Sequence, residues 1–253
     1  MKTRIISAII VLSIFIPICI KGGLIFNLAF YVVGMLGLKE VLDVKEKKRK
    51  LPTFIKILIY LLFSAMYFVM SINEEMVLNI DFRIISGIFL VLLLPTVLYH
   101  DKKVYNVKDS FYLFVMYRNI SLVLFIYLFL VTILTDTFAY ISGMLVGKHK
   151  LLKEISPNKT WEGLIIGSIM GTILCTIYYT AVIDSNISFV VIVPITLFLT
   201  IIGQFGDLFF SSIKRYCGVK DFSNLIPGHG GVLDRFDSII FVMLVFTFFL
   251  TIL

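Results

Sequence analysis

The feature that most constrains this chain is its series of apolar runs, each about the length a helix needs to cross lipid. They fall near residues 5–20, 23–38, 54–72, 84–99, 110–134, 135–147, 162–183, 188–212 and 237–253. A helix rising 1.5 Å per residue needs about 20 apolar residues to cross a hydrocarbon core of ~30 Å. A soluble domain of 253 residues that is 59% hydrophobic and 15% charged has no way to hide so much apolar surface, since ordinary usage is about 25% charged. Lipid must act as the solvent. The expectation is an all-α, polytopic transmembrane helical bundle of about nine spans, with a polar cavity facing the cytosol. Residues 1–105 supply N-terminal transmembrane helices, and 106–253 form the C-terminal catalytic region.

The formal charge of +7 does not read as a nucleic-acid surface, because the Lys and Arg residues sit in short loops between apolar runs. Lys2 and Arg4 precede the first run. Lys39, Lys45, Lys47, Lys48, Arg49 and Lys50 crowd the 39–53 loop, and Lys102, Lys103 and Lys108 the 100–109 loop. Lys148, Lys150, Lys153 and Lys159 occupy 148–161. These loops read as cytoplasmic, whereas Glu74, Glu75 and Asp81 place 73–83 outside. Two inside loops flank 110–147, so an even number of crossings lies between them. That segment is short for two full spans and holds Arg118 and Asp136. A tight hairpin or a broken, partly re-entrant helix fits it, with the C-terminus outside. The N-terminal run has the charge layout of a signal peptide but no small-residue cleavage site, so it reads as a retained span. Cys19, Cys175 and Cys217 match no disulfide or metal spacing.

Chemistry concentrates between Asp207 and Asp237. Asp207, Ser211 and Lys214 are spaced i, i+4, i+7 and share one helix face, with Arg215 beside Lys214. An acid inside an apolar span is expensive and is a functional candidate by default. Lys220 and Asp221 follow, and then Pro227-Gly228-His229-Gly230-Gly231. Such a glycine-rich loop is able to bring backbone N–H groups to an anion, with His229 a phosphate hydrogen-bond donor. Asp234, Arg235 and Asp237 open the last run. Carboxylates without Cys or paired His suit a hard cation such as Mg²⁺, and with the surrounding cations they suit a metal-bound polyphosphate.

A second group runs from Thr135-Asp136-Thr137 to Ser156-Pro157-Asn158-Lys159-Thr160-Trp161-Glu162-Gly163. Its Gly143-to-Lys148 stretch is one residue short of P-loop spacing and has no Ser or Thr after the lysine. Ser156-Pro157 reads as a turn. Asp136, deep in apolar sequence, must line a polar cavity or pair with a cation.

The stretch from Ser211 to Asp237 resembles the signature of phosphatidate cytidylyltransferases: S-x-x-K-R, four residues, K-D, then P-G-H-G-G-x-x-D-R-x-D. The D-T-x-A-Y, G-K-x-x-L and S-P-x-K-x-W-E-G elements upstream resemble the bacterial members. The resemblance implies an enzyme of phospholipid biosynthesis, integral to the cell (inner) membrane, with its active site on the cytoplasmic side. It would make CDP-diacylglycerol and pyrophosphate from CTP and phosphatidate. It also implies Mg²⁺ held at Asp207 and Asp234, and a second, monovalent cation such as K⁺. On that reading Lys214, Arg215, Lys220 and Arg235 meet phosphates and the Gly228–Gly231 loop closes on CTP. Asp221, Asp237, Lys159, Ser211 and Asp136 support the site. A homodimer is among the expectations; the sequence leaves oligomeric state open. The alternatives are a CTP-using enzyme of another lipid phosphate or alcohol, and a transporter, for which Asp136 is the one supporting feature.

Overall fold

The computed structural model describes residues 2–48, 50–72 and 110–250. The expected span at 84–99, the loops at 73–83 and 100–109, and the proposed division at 105/106 lie outside the described residues. The elements are α1 (Lys2–Lys21), α2 (Gly23–Glu46), α3 (Thr53–Ile72), α4 (Ser110–Ile120), α5 (Leu122–Val146), β1 (Lys150–Leu152), β2 (Ser156–Thr160), α6 (Trp161–Tyr178, continued by a π turn at Tyr179–Ile183), α7 (Phe189–Tyr216) and α8 (Leu233–Phe249). Among the described residues, α1, α2, α5, α6 with its π turn, and α7 are long and apolar enough to cross a membrane. The chain is thus an all-α polytopic protein, with one small hairpin among the described residues.

Two compact units interleave along the chain. The first comprises Met1–Leu122 and Ile213–Phe236; the second comprises Val123–Ser212 and Asp237–Leu253.

The first unit has an aromatic core. Phe30 of α2 lies 4.5 Å from Phe26 between ring centroids and 5.0 Å from Phe114 of α4, and all three are buried. Stacked and tilted rings at these separations add to the free energy of burying their area. The chain turns from α1 into α2 through Gly22 and Gly23, both at positive φ. Arg118 of α4 serves that turn. Its guanidinium donates to the carbonyls of Cys19 at 2.6 Å and Ile20 at 3.0 Å, acceptors that the end of α1 would otherwise leave without partners.

The second unit packs helices through small residues. Gly163, Gly167 and Gly171 form one face of α6. A Cβ built at Gly167 would come within 2.7 Å of Ala139 on α5, and one at Gly171 would overlap the Thr135 hydroxyl. In lipid, where apolar burial drives little association, such close backbone approach is a main source of helix contact. Polar bonds add to it. Gln204 of α7 donates to Ser168 Oγ at 2.9 Å and to the Leu164 carbonyl at 3.2 Å, and Tyr127 of α5 meets Thr196 of α7 at 2.8 Å.

The 110–147 segment differs from expectation. Its break falls at Ser121 rather than near 134, dividing it into helices of 11 and 25 residues. The Thr135-Asp136-Thr137 run does not interrupt α5: the helix continues through it, with the Thr137 hydroxyl donating to the Ile133 carbonyl at 2.7 Å. The segment thus holds one full-length helix and one of 11 residues, short against ~30 Å of hydrocarbon. Ser156-Pro157 likewise lies in a strand. β1 and β2 pair antiparallel, Lys150 opposite Thr160 and Leu152 opposite Ser156.

Candidate active site

The residues singled out from sequence divide between the units. Lys214, Arg215, Lys220, Asp221, Gly228, His229, Gly230, Gly231, Asp234 and Arg235 belong to the first; Asp136, Lys159, Asp207, Ser211 and Asp237 belong to the second.

In the first unit the organising group is Asp234, in the first turn of α8. Its Oδ1 accepts from Lys214 Nζ at 2.7 Å. Its Oδ2 accepts from the backbone N–H groups of Phe222 and Gly231, both at 2.9 Å. Both side chains are buried, the lysine 8% and the aspartate 3% exposed. A desolvated carboxylate holding an ammonium and two amides is well compensated. It ties the end of α7, the middle of the loop and the start of α8 together.

The glycine loop is braced from within. His229 N and Gly230 N donate to the Ile226 carbonyl at 2.9 and 3.1 Å, and Gly231 N donates to Asp234. Gly228 and Gly230 take φ near +78° and +84°, a region that costs other residues strain. The N–H groups of residues 229–231, expected to face an anion, are therefore engaged within the loop. Cationic side chains are then available for an anion. Lys220 and Arg235 are exposed and Arg215 is half-buried, its guanidinium donating to the Val219 carbonyl at 2.9 Å. His229 Nδ1 lies 2.8 Å from Ser7 Oγ, and Ser7 Oγ lies 2.9 Å from the Pro227 carbonyl. The loop is thereby moored to the start of α1.

In the second unit Lys159 reaches from β2 to Asp207 of α7, Nζ to Oδ2 at 2.6 Å. Ser211 Oγ donates to the other oxygen, Oδ1, at 3.3 Å, as the i, i+4 spacing predicts. Asp207 thus pairs with Lys159, and Lys214 with Asp234, although Asp207 and Lys214 share one face of α7 by spacing. Asp136 is exposed, accepts weakly from Ser238 Oγ at 3.5 Å, and is within electrostatic reach of Lys159 and Asp207. Asp237 is buried, with Oδ1 accepting from Ser238 N at 2.8 Å. Thr160 caps α6, its hydroxyl accepting from Gly163 N at 3.1 Å.

A hard divalent cation suits Asp207, whose side chain keeps 29% of its accessibility and whose Oδ1 accepts from Ser211 Oγ at 3.3 Å. Among the described residues no cluster of three or more acids, histidines or cysteines forms a full ligand shell. Mg²⁺ does not need one; it commonly takes one or two carboxylates, with water and substrate phosphates completing its octahedron. Asp234 fits less readily, because a metal there must first displace Lys214.

Three contributors escaped the sequence reading. Gln204 and Ser7 carry no motif. Glu40 is 4% exposed and accepts from Val232 N at 2.8 Å, Leu233 N at 2.9 Å and Ser223 Oγ at 2.7 Å. Its signal was periodicity: Gly37, Glu40 and Val44 lie on the buried face of α2.

Known proteins resemble this chain along nearly its whole length. The profile of the Cytidylyltransferase family matches residues 2–253. The chain is 38% identical over 258 residues to a phosphatidate cytidylyltransferase of Staphylococcus haemolyticus, covering 96% of each chain. It is 38% identical over 255 residues to that of Staphylococcus aureus strain COL and 36% identical over 259 residues to that of Staphylococcus saprophyticus, again with 96% of each chain covered. The chain belongs to the cytidylyltransferase family.

Proposed function

We infer that this protein transfers the cytidylyl group of CTP to phosphatidate, releasing pyrophosphate and forming CDP-diacylglycerol. The observation that carries the reading is the unbroken Ser211–Asp237 signature, in a chain similar along 96% of its length to phosphatidate cytidylyltransferases.

In this reaction a phosphate oxygen of the lipid attacks the α-phosphorus of CTP. The bond from that phosphorus to the oxygen bridging to the β-phosphate breaks, and the electron pair leaves with pyrophosphate. The nucleophile is largely ionised near neutral pH, so no strong general base is required. Catalysis then rests on orientation and on neutralising charge. Exposed Lys220 and Arg235, with Arg215, suit phosphate oxygens, Arg through its planar fork and Lys as a point charge. Lys159 orients Asp207 and offsets its charge.

Mg²⁺ would be held at Asp207, with Asp136 within electrostatic reach, and would supply neutralisation of the nucleotide phosphates. The site would face the cytoplasm, because Lys148, Lys150, Lys153, Lys214 and Arg215 lie beside the ends of apolar helices and positive charge is retained on that side.

The test is an assay on purified protein in detergent-lipid micelles with labelled CTP and phosphatidate, with and without Mg²⁺. Metal-dependent appearance of CDP-diacylglycerol is expected. Labelled product with an ether-linked or polyprenyl acceptor but none with phosphatidate would reassign the lipid. No product with any acceptor would sink the reading.

A further inference from the structure

Glu40 is a carboxylate with almost no exposure, set in α2 far in sequence from the signature. Among the described residues no lysine or arginine forms an ion pair with it. Removing a charge from water without a counter-ion is costly unless donors replace the lost hydration. Here three do. Val232 N and Ser223 Oγ donate to Oε1, and Leu233 N donates to Oε2.

Two of these donors are backbone groups at the start of α8. The residue ahead of that helix is Val232, whose side chain has nothing with which to cap it, so Glu40 supplies the missing acceptor from another helix. The positive end of the α8 dipole adds to the stabilisation. Gly231 is part of the same fit, since a Cβ there would lie 2.6 Å from Glu40 Oε1. The second glycine of Gly230-Gly231 is therefore needed as the seat for a carboxylate.

We propose that Glu40 is a positioning residue: its carboxylate holds the start of α8 and the loop before it, and through them sets the placement of Arg235 and Asp234. Asp234 grips the loop at Phe222 and Gly231, and Glu40 grips it at Ser223, Val232 and Leu233. The two carboxylates hold adjacent residues at both places, Phe222 beside Ser223 and Gly231 beside Val232. Loss of Glu40 leaves two buried N–H groups without acceptors and frees the loop to move. For activity, the inference rests on the cytidylyltransfer reading above.

Glu40→Gln tests it at constant size, because one end of the amide is a donor facing another donor. With the variant inserted and monodisperse, kcat for CDP-diacylglycerol formation should fall on the order of 10-fold with KM for phosphatidate unchanged. Trypsin should cut after Lys220 faster than in the unaltered protein, with other sites unaffected. Gly231→Ala, which presses a methyl group against the carboxylate, should behave alike. Unaltered kcat in Glu40→Gln, or a fall in kcat with no faster cut at Lys220, overturns the proposal. If the unaltered protein makes no CDP-diacylglycerol, the functional reading has failed, and the trypsin comparison still decides whether Glu40 holds the loop.

Discussion

Lys159 and Asp207 form an ion pair at 2.6 Å in which both side chains stay partly accessible, 23% and 29%. That separates it from Lys214–Asp234, of similar length at 2.7 Å but buried. The accessible pair is suited to exchanging partners with a ligand. The buried pair is suited to holding the fold.

Asp207→Ala should abolish turnover while leaving the protein inserted and folded. Loss of a group that holds charge at the reacting centre costs on the order of 100-fold or more. Product formation by the purified variant, with its size-exclusion profile, measures this. Substantial remaining activity would remove Asp207 from the metal site.

Lys159→Met should lower activity by about 10-fold or more and raise the Mg²⁺ concentration needed for half-maximal rate, since Asp207 loses the cation that orients it. A Mg²⁺ titration of initial rates checks both effects. An unchanged titration would mean that Lys159 does not act through Asp207.

Lys214→Met should destabilise the protein by about 3–5 kcal/mol, because it strands a buried carboxylate. Adding Asp234→Asn should restore part of that loss. Thermal unfolding in detergent, followed for both singles and the double, gives the coupling. Additive losses would show that the pair is not the source of stability.

Gly167→Val should destabilise by roughly 1–3 kcal/mol, the range for overpacking. The new side chain meets Ala139 on α5, and a small-residue contact between lipid-embedded helices has little room to give. An unchanged unfolding temperature would mean that α5 and α6 separate at no cost.

The apolar runs mark the helices well where one run ended at a charge or a glycine. Gly22 separates α1 from α2, and Thr160 opens α6. They fail between 110 and 147, where the polar triplet at 135–137 looks like a break. The helix runs through it because the backbone ladder satisfies itself there, with the Thr137 hydroxyl turned back to the Ile133 carbonyl, and the break falls at Ser121 instead. The 156–160 strand was missed because its pairing with 150–152 is tertiary information. The signature was readable because its chemistry is local in sequence: acids, bases and glycines at fixed spacing.

Sequence alone determined that the chain is a helical membrane protein with a phosphate-handling signature, because hydropathy and residue chemistry are properties of each residue and its near neighbours. Only the tertiary structure decided which lysine serves which aspartate, and that Glu40 holds the loop from 183 residues away. It also engaged the N–H groups of residues 229–231 within the loop. The physical reason is that hydrogen bonds and ion pairs are short-ranged. Their partners are chosen by which helices pack together, and in lipid that choice rests on small-residue contacts and buried polar groups, which hydropathy does not register.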